Sequence, residues 1–115
     1  MTRRYSAQAL QKMACDLLTA AGLETAPAIS VARTLCDGDL LGHDTHGLGL
    51  LAPYLREIEQ GRMACSGMPQ EVNAKPAAML WDGNRLPGPW LMELALDRMI
   101  PAAREFGLAS MVIRR

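Results

Sequence analysis

Both histidines of this 115-residue chain lie in the stretch Asp39-Leu40-Leu41-Gly42-His43-Asp44-Thr45-His46-Gly47. No other segment gathers residue types that do chemistry. Three roles compete for the pair. The first is acid/base catalysis by His46, because an imidazole with an ordinary pKa of roughly 6.5 can hand over a proton near neutrality. The spacing predicts His46 at the N-terminal end of a helix, where the dipole disfavours imidazolium. A proton donor there needs a carboxylate, either Asp44 or one from elsewhere. The second role is a metal site of His43, Asp44 and His46 completed by Cys36, Asp37 or Asp39. That match is loose, since His-x-x-His brings two rings together only on a helix, and no metal is expected. The third is structural, with one ring capping a helix and the other hydrogen-bonded at the surface. The histidines alone leave all three open.

Gly42 and Gly47 bracket the stretch. Either they let a ligand approach the backbone, or they end one helix and open the next. Asp37 and Asp39 sit near the negative end of the preceding helix, where a carboxylate is mildly disfavoured unless it is solvated or something holds it. Other chemistries find no support. There is no Gly-x-Gly-x-x-Gly after a strand and no Walker A loop, and Gly47 and Gly49 follow no strand, so a Rossmann site is rejected. Neither Ser66 nor Ser110 sits in a nucleophile elbow.

The elements that position this stretch are read from apolar spacing. Leu10, Met13, Ala14, Leu17, Leu18 and Ala21 predict a helix from Ala7 to Ala21, with Ser6 as N-cap and Gly22 as C-cap. A second helix begins after Thr25, carries Pro27 in its first turn, buries Ala28, Val31, Ala32, Leu35 and Cys36, and ends near Leu41 and Gly42. A third follows the histidines directly and runs to Gln60, with a stripe of Leu51, Tyr54, Leu55 and Ile58 and with Gly61 as its stop. Short strands are predicted at Glu71 to Asn73, Ala77 to Trp81 and Leu108 to Ile113. A fourth helix from Trp90 to Phe106 should be kinked or divided by Pro101. The expected class is α+β: about four helices plus two or three short strands, in a single domain spanning 1-115. A terminal Met-Val-Ile strand needs sheet partners that the sequence hardly offers. The chain therefore reads as an incomplete part of a larger fold or one that pairs with another chain.

Composition narrows the partners. Twelve basic and twelve acidic residues cancel, so nothing concentrates nucleic acid or anionic lipid. The apolar runs are too short to span a membrane, and no signal-peptide core follows Arg3 and Arg4. Cys15, Cys36 and Cys65, without a Cys-x-x-Cys spacing, fit free thiols in a cytoplasmic protein.

The stretch from Asp39 to Gly47, followed by Tyr54 and the helix end Ile58-Glu59-Gln60-Gly61, resembles the signature of the malate/L-lactate dehydrogenase-like oxidoreductases. The likeness extends along the chain. The opening helix ending in Ala21-Gly22, the strand and turn from Ala77 to Gly83, and the helix from Ala95 to Gly107 leading into Leu108 to Ile113 occur in the same order. The resemblance implies a non-Rossmann fold, NAD or NADP as cofactor, a 2-oxoacid or 2-hydroxyacid (or cyclic imine) as substrate, and a dimer or larger homo-oligomer. It makes His46 the catalytic proton donor and substrate contact, with Thr45 and Gly47 beside the cofactor. Where many relatives carry a carboxylate-gripping arginine, this chain has Leu50, which leaves the substrate open. Relatives are considerably longer, so most of the cofactor site is expected outside this chain. The alternative expectation is a non-catalytic oligomerisation module or the remnant of a truncated gene.

Overall fold

The computed structural model describes residues 3–115. The first helix, α1 (Ala7–Ala20), opens with the Ser6 hydroxyl accepting the Ala9 N–H at 3.2 Å and closes into Gly22 at φ 115°. Helix α2 (Thr25–Leu40) starts one residue earlier than its sequence suggests, with Glu24 at the N-cap position and making no side-chain cap bond. Its inward face is continuous, with Ala28, Val31, Ala32, Leu35 and Cys36 all buried. Helix α3 (Leu51–Glu59) is shorter than expected. Two tight 3-10 turns, Asp44–His46 and Leu48–Leu50, stand between α2 and α3.

These helices share one core of Ala14, Leu18, Leu23, Ala28, Val31, Ala32, Leu35, Leu51 and Ile58, with Tyr54 and Leu55 packed against it. By burial of apolar area, each large side chain here contributes about 1.5–3 kcal/mol. Met13 and Leu17, predicted on the buried stripe of α1, instead stay 46% and 42% exposed. The reason is that α1 lies against α2 mainly, so only the face carrying Ala14 and Leu18 is covered.

The connection after α3 is irregular, and it is tied down by backbone bonds from Glu24 N–H to Cys65 C=O and from Ala64 N–H to Arg85 C=O. A hairpin follows. Strand β1 (Gln70–Lys75) pairs antiparallel with β2 (Ala78–Asp82), with a register shift between Glu71 and Asn73. Helix α4 (Gly88–Phe106) then crosses to β3 (Ser110–Arg114), which lies parallel to β2 in the sheet order β1-β2-β3. Pro101 sits inside α4 without dividing it, so the helix is one element of 19 residues. Proline removes one donor, and a helix this long keeps its other bonds on both sides of the gap. Leu91, Ala95 and Ala102 of α4 are buried, and so are Met79 and Trp81 of β2.

Helix α4 is joined to α2 by polar contacts. The Ser30 hydroxyl, 1% exposed, donates to the Glu93 carboxylate at 2.8 Å, and Arg33 donates to the same carboxylate oxygen. The architecture is α+β, as expected. Its radius of gyration is 15.7 Å, against about 13 Å for a compact chain of this length. Leu108, just before β3, and Val112, within it, remain 68% and 64% exposed. No helix among the described residues is long and apolar enough to cross a membrane.

Candidate functional site

The end of α2 sets up the site. Gly42 adopts φ 83° and turns the chain out of the helix, a left-handed conformation that side chains with a Cβ rarely take. His43 N–H then bonds to Gly38 C=O at 2.8 Å, which folds the following turn back across α2. The fit there is close. A Cβ built on Gly38 would lie 2.4 Å from the carbonyl oxygen of His46, so only glycine lets the helix and the turn touch.

Asp39 secures the next two residues. Its Oδ2 accepts the Leu48 N–H at 2.9 Å. Its Oδ1 covers Gly47, where a Cβ would stand 1.8 Å away. Gly47 is buried although the five residues before it are exposed. The absence of a side chain at Gly47 is therefore explained within the protein, and the carboxylate at the negative end of α2 is held by a backbone donor at the start of the next helical run.

His46 itself is exposed, and its Nδ1 is 2.9 Å from the Thr45 hydroxyl. Two expectations are corrected here. Asp44 makes no hydrogen bond to the ring; Thr45 is its partner among the described residues. His46 also does not open α3, which begins five residues later; it closes the 3-10 turn Asp44–His46 instead. Among the described residues no three His, Cys, Asp or Glu side chains converge as ligands.

On the other side of Asp39 lies a groove of about 580 Å³ between the N-terminal segment and the end of α2, lined in part by Arg3, Arg4, Tyr5, Asp39, Asp44 and Leu48. Burial raises the Tyr54 phenol above its usual range, since its ring packs on the helical core. Leu50 also packs against that core and does not line the groove. Gly38 and the reach of Asp39 escaped the sequence reading. A lone glycine inside a helical pattern, together with a carboxylate at the wrong end of a helix, was the available signal.

A dinucleotide finds no cradle at the strand-to-helix junction between β2 and α4. Asp82, 3% exposed, fills that crevice with a carboxylate that accepts the Asn84 N–H at 2.9 Å and pairs with Arg114 at 3.6 Å and with Arg115. The Asn84 bond and the two guanidinium groups hold its pKa below the usual carboxylate range. Pro87 and Pro89 remove backbone donors at the start of α4, where phosphate oxygens would need them. Gly83 has no free space either, because a Cβ there would meet the Arg115 carbonyl oxygen and the Leu91 side chain, each at 2.7 Å.

The chain is 30% identical over 110 residues to hydroxycarboxylate dehydrogenase B of Escherichia coli, covering 96% of this chain and 30% of the relative. It is 28% identical to a Delta(1)-pyrroline-2-carboxylate reductase of Ancylobacter novellus, covering 96% of this chain and 32% of the relative. In fold it matches a malate dehydrogenase of Entamoeba histolytica with a TM-score of 0.92 at 24% identity, over 99% of this chain and 32% of that one. A dehydrogenase of Sinorhizobium meliloti matches with a TM-score of 0.90 at 26% identity, over 97% of this chain and 35% of that one. The chain thus spans about a third of the length of these relatives. The family model described as malate/L-lactate dehydrogenase matches residues 5–115, and the chain belongs to that family.

Proposed function

We propose that this chain is the proton-donating portion of a nicotinamide-dependent 2-oxo acid reductase, with His46 as the general acid. The observation that carries the reading is the construction of the His46 turn. An exposed imidazole has one nitrogen engaged by Thr45, on a backbone that Gly38 and Asp39 hold against α2. With Nδ1 engaged, Nε2 is the nitrogen left to give a proton. As a substrate carbonyl is reduced its oxygen becomes basic, and protonation by a positioned imidazolium contributes about 10²- to 10⁴-fold. Oxidation of the 2-hydroxy acid runs the same proton transfer in reverse.

NAD or NADP supplies the hydride in this reading, and most of its dinucleotide site belongs to residues outside this chain, since the β2–α4 junction offers it no cradle. Thr45 and Gly47 border the proposed site differently from each other. The Thr45 hydroxyl already serves His46, and Gly47 offers only backbone to a cofactor. The open edge of β3 and the exposed Leu108 and Val112 support assembly with further protein, as a homo-oligomer or with the remainder of a family-length fold. Localisation in the cytoplasm belongs to the same proposal.

The test is a fusion of this chain to the remaining two-thirds of the Escherichia coli relative, screened for NADH or NADPH oxidation dependent on 2-oxo acids. Turnover supports the reading. A folded fusion with no turnover on any 2-oxo acid contradicts it.

A further inference from the structure

We propose that Asp39 is the positioning residue for His46. The inference rests on the reading of His46 as general acid, but its structural content stands apart from that reading. A carboxylate in the last turn of α2 is disfavoured by the helix dipole. Asp39 is nonetheless placed to do something no local partner explains. It reaches nine residues along the chain to the Leu48 N–H, the first donor of the helical run from Leu48 to Glu59, where an anionic acceptor is favoured. Among the described residues it is the only side chain that hydrogen-bonds the backbone between His43 and Leu50.

The glycines show that the contact is built into the turn. Gly47 leaves the space that the Asp39 carboxylate fills, and Gly38, one residue before Asp39, touches the His46 carbonyl oxygen. One residue pair of α2 thus fixes the backbone of His46 itself and of the two residues after it. The side chain of His46 projects from this fixed backbone with only the Thr45 hydroxyl to orient it. Without the Asp39 carboxylate, the turn keeps its left-handed exit at Gly42 but loses its tie to the α3 side. His46 then samples several orientations.

NMR of the isotope-labelled chain tests this directly. The two histidine rings are assigned with H43A and H46A. In D39A, exchange of the Leu48 amide should quicken roughly tenfold or more, the factor for losing a hydrogen bond to a charged acceptor. The His46 Nδ1 signal should move toward that of a free imidazole as the Thr45 contact is lost. D39N keeps an acceptor for Leu48 and should restore the His46 signal. G47A keeps Asp39 but occupies its place, and should shift His46 as D39A does, which guards against a variant that simply unfolds. Exchange at Leu18 in the core reports any global loss of stability separately. Unchanged His46 signals in folded D39A and G47A overturn the proposal, even if Leu48 exchange quickens, because Asp39 is then only a cap. None of these signals depends on turnover, so loss of the catalytic reading through an active H46A fusion leaves this result distinguishable.

Discussion

Replacing Gly38 with alanine separates the helix propensity of α2 from the contact that shapes the site. The added Cβ would sit 2.4 Å from the His46 carbonyl oxygen, while ordinary contact begins at 3.4 Å, so the turn or the helix must move by about 1 Å. Alanine in a helix interior is otherwise favourable by about 0.5–1 kcal/mol over glycine. Overpacking against backbone costs about 1–3 kcal/mol, so the clash outweighs the propensity gain and G38A should be destabilised by roughly 0.5–2 kcal/mol. For a chain of this size that is a fall in Tm of roughly 3–10 °C, followed by circular dichroism. Gly49 is the control. It lies in the neighbouring 3-10 turn with open space around its Cβ position and no positive φ, so G49A should be neutral or slightly stabilised. A displacement of about 1 Å at the acid also matters for catalysis, where such a misplacement can cost about 10²-fold. A G38A chain as stable as the parent, with unmoved His46 amide signals, would refute the reasoning.

Other consequences follow from the same contacts. Gly83 is enclosed by the Arg115 carbonyl and the Leu91 side chain, so G83A should lower Tm and loosen β3, read as faster amide exchange at Val112. Asp82 has its pKa lowered by the Asn84 N–H, Arg115 and Arg114; its contribution is therefore fully present above its unfolded pKa of about 3.9 and is lost as pH falls from there through its lower folded pKa. Urea midpoints measured from pH 6 down to 2 should drop in the parent and drop less in D82N. Cys36 is buried, and its thiol is pushed up by burial and then by Asp39 and Asp37. Mass spectrometry after a short iodoacetamide pulse should find Cys15 and Cys65 alkylated before Cys36.

Much of the helical half was legible because its cause is local. The stripes of α2 and α3 name the residues that pack, and Ser6 and Gly22 mark the ends of α1 through capping chemistry that acts within a few residues. The strands at 70–75, 78–82 and 110–114 lie within two residues of their expected bounds, since the surrounding breaker residues and the Asp82-Gly83-Asn84 turn are also local signals. The parallel pairing of β3 with β2 depends on how α4 crosses the sheet, which no short pattern encodes. The site was half legible. His46 and the bracketing glycines stand out by type, but the turn was expected to merge into α3. What separates the two is a carboxylate nine residues away and a contact through Gly38, both of which exist only once the chain has folded back. For the same reason closeness in sequence points to Asp44 as the partner of His46, although Thr45 holds that place.

The central claim, that His46 supplies the proton, is tested most directly in the fusion with the Escherichia coli relative by comparing kcat for the parent, H46A and H43A on the best 2-oxo acid. The account predicts that H46A loses about 10²- to 10⁴-fold while H43A, in the same turn, keeps most of its turnover. Equal activity in H46A and the parent, or an equal loss in both variants, would contradict it.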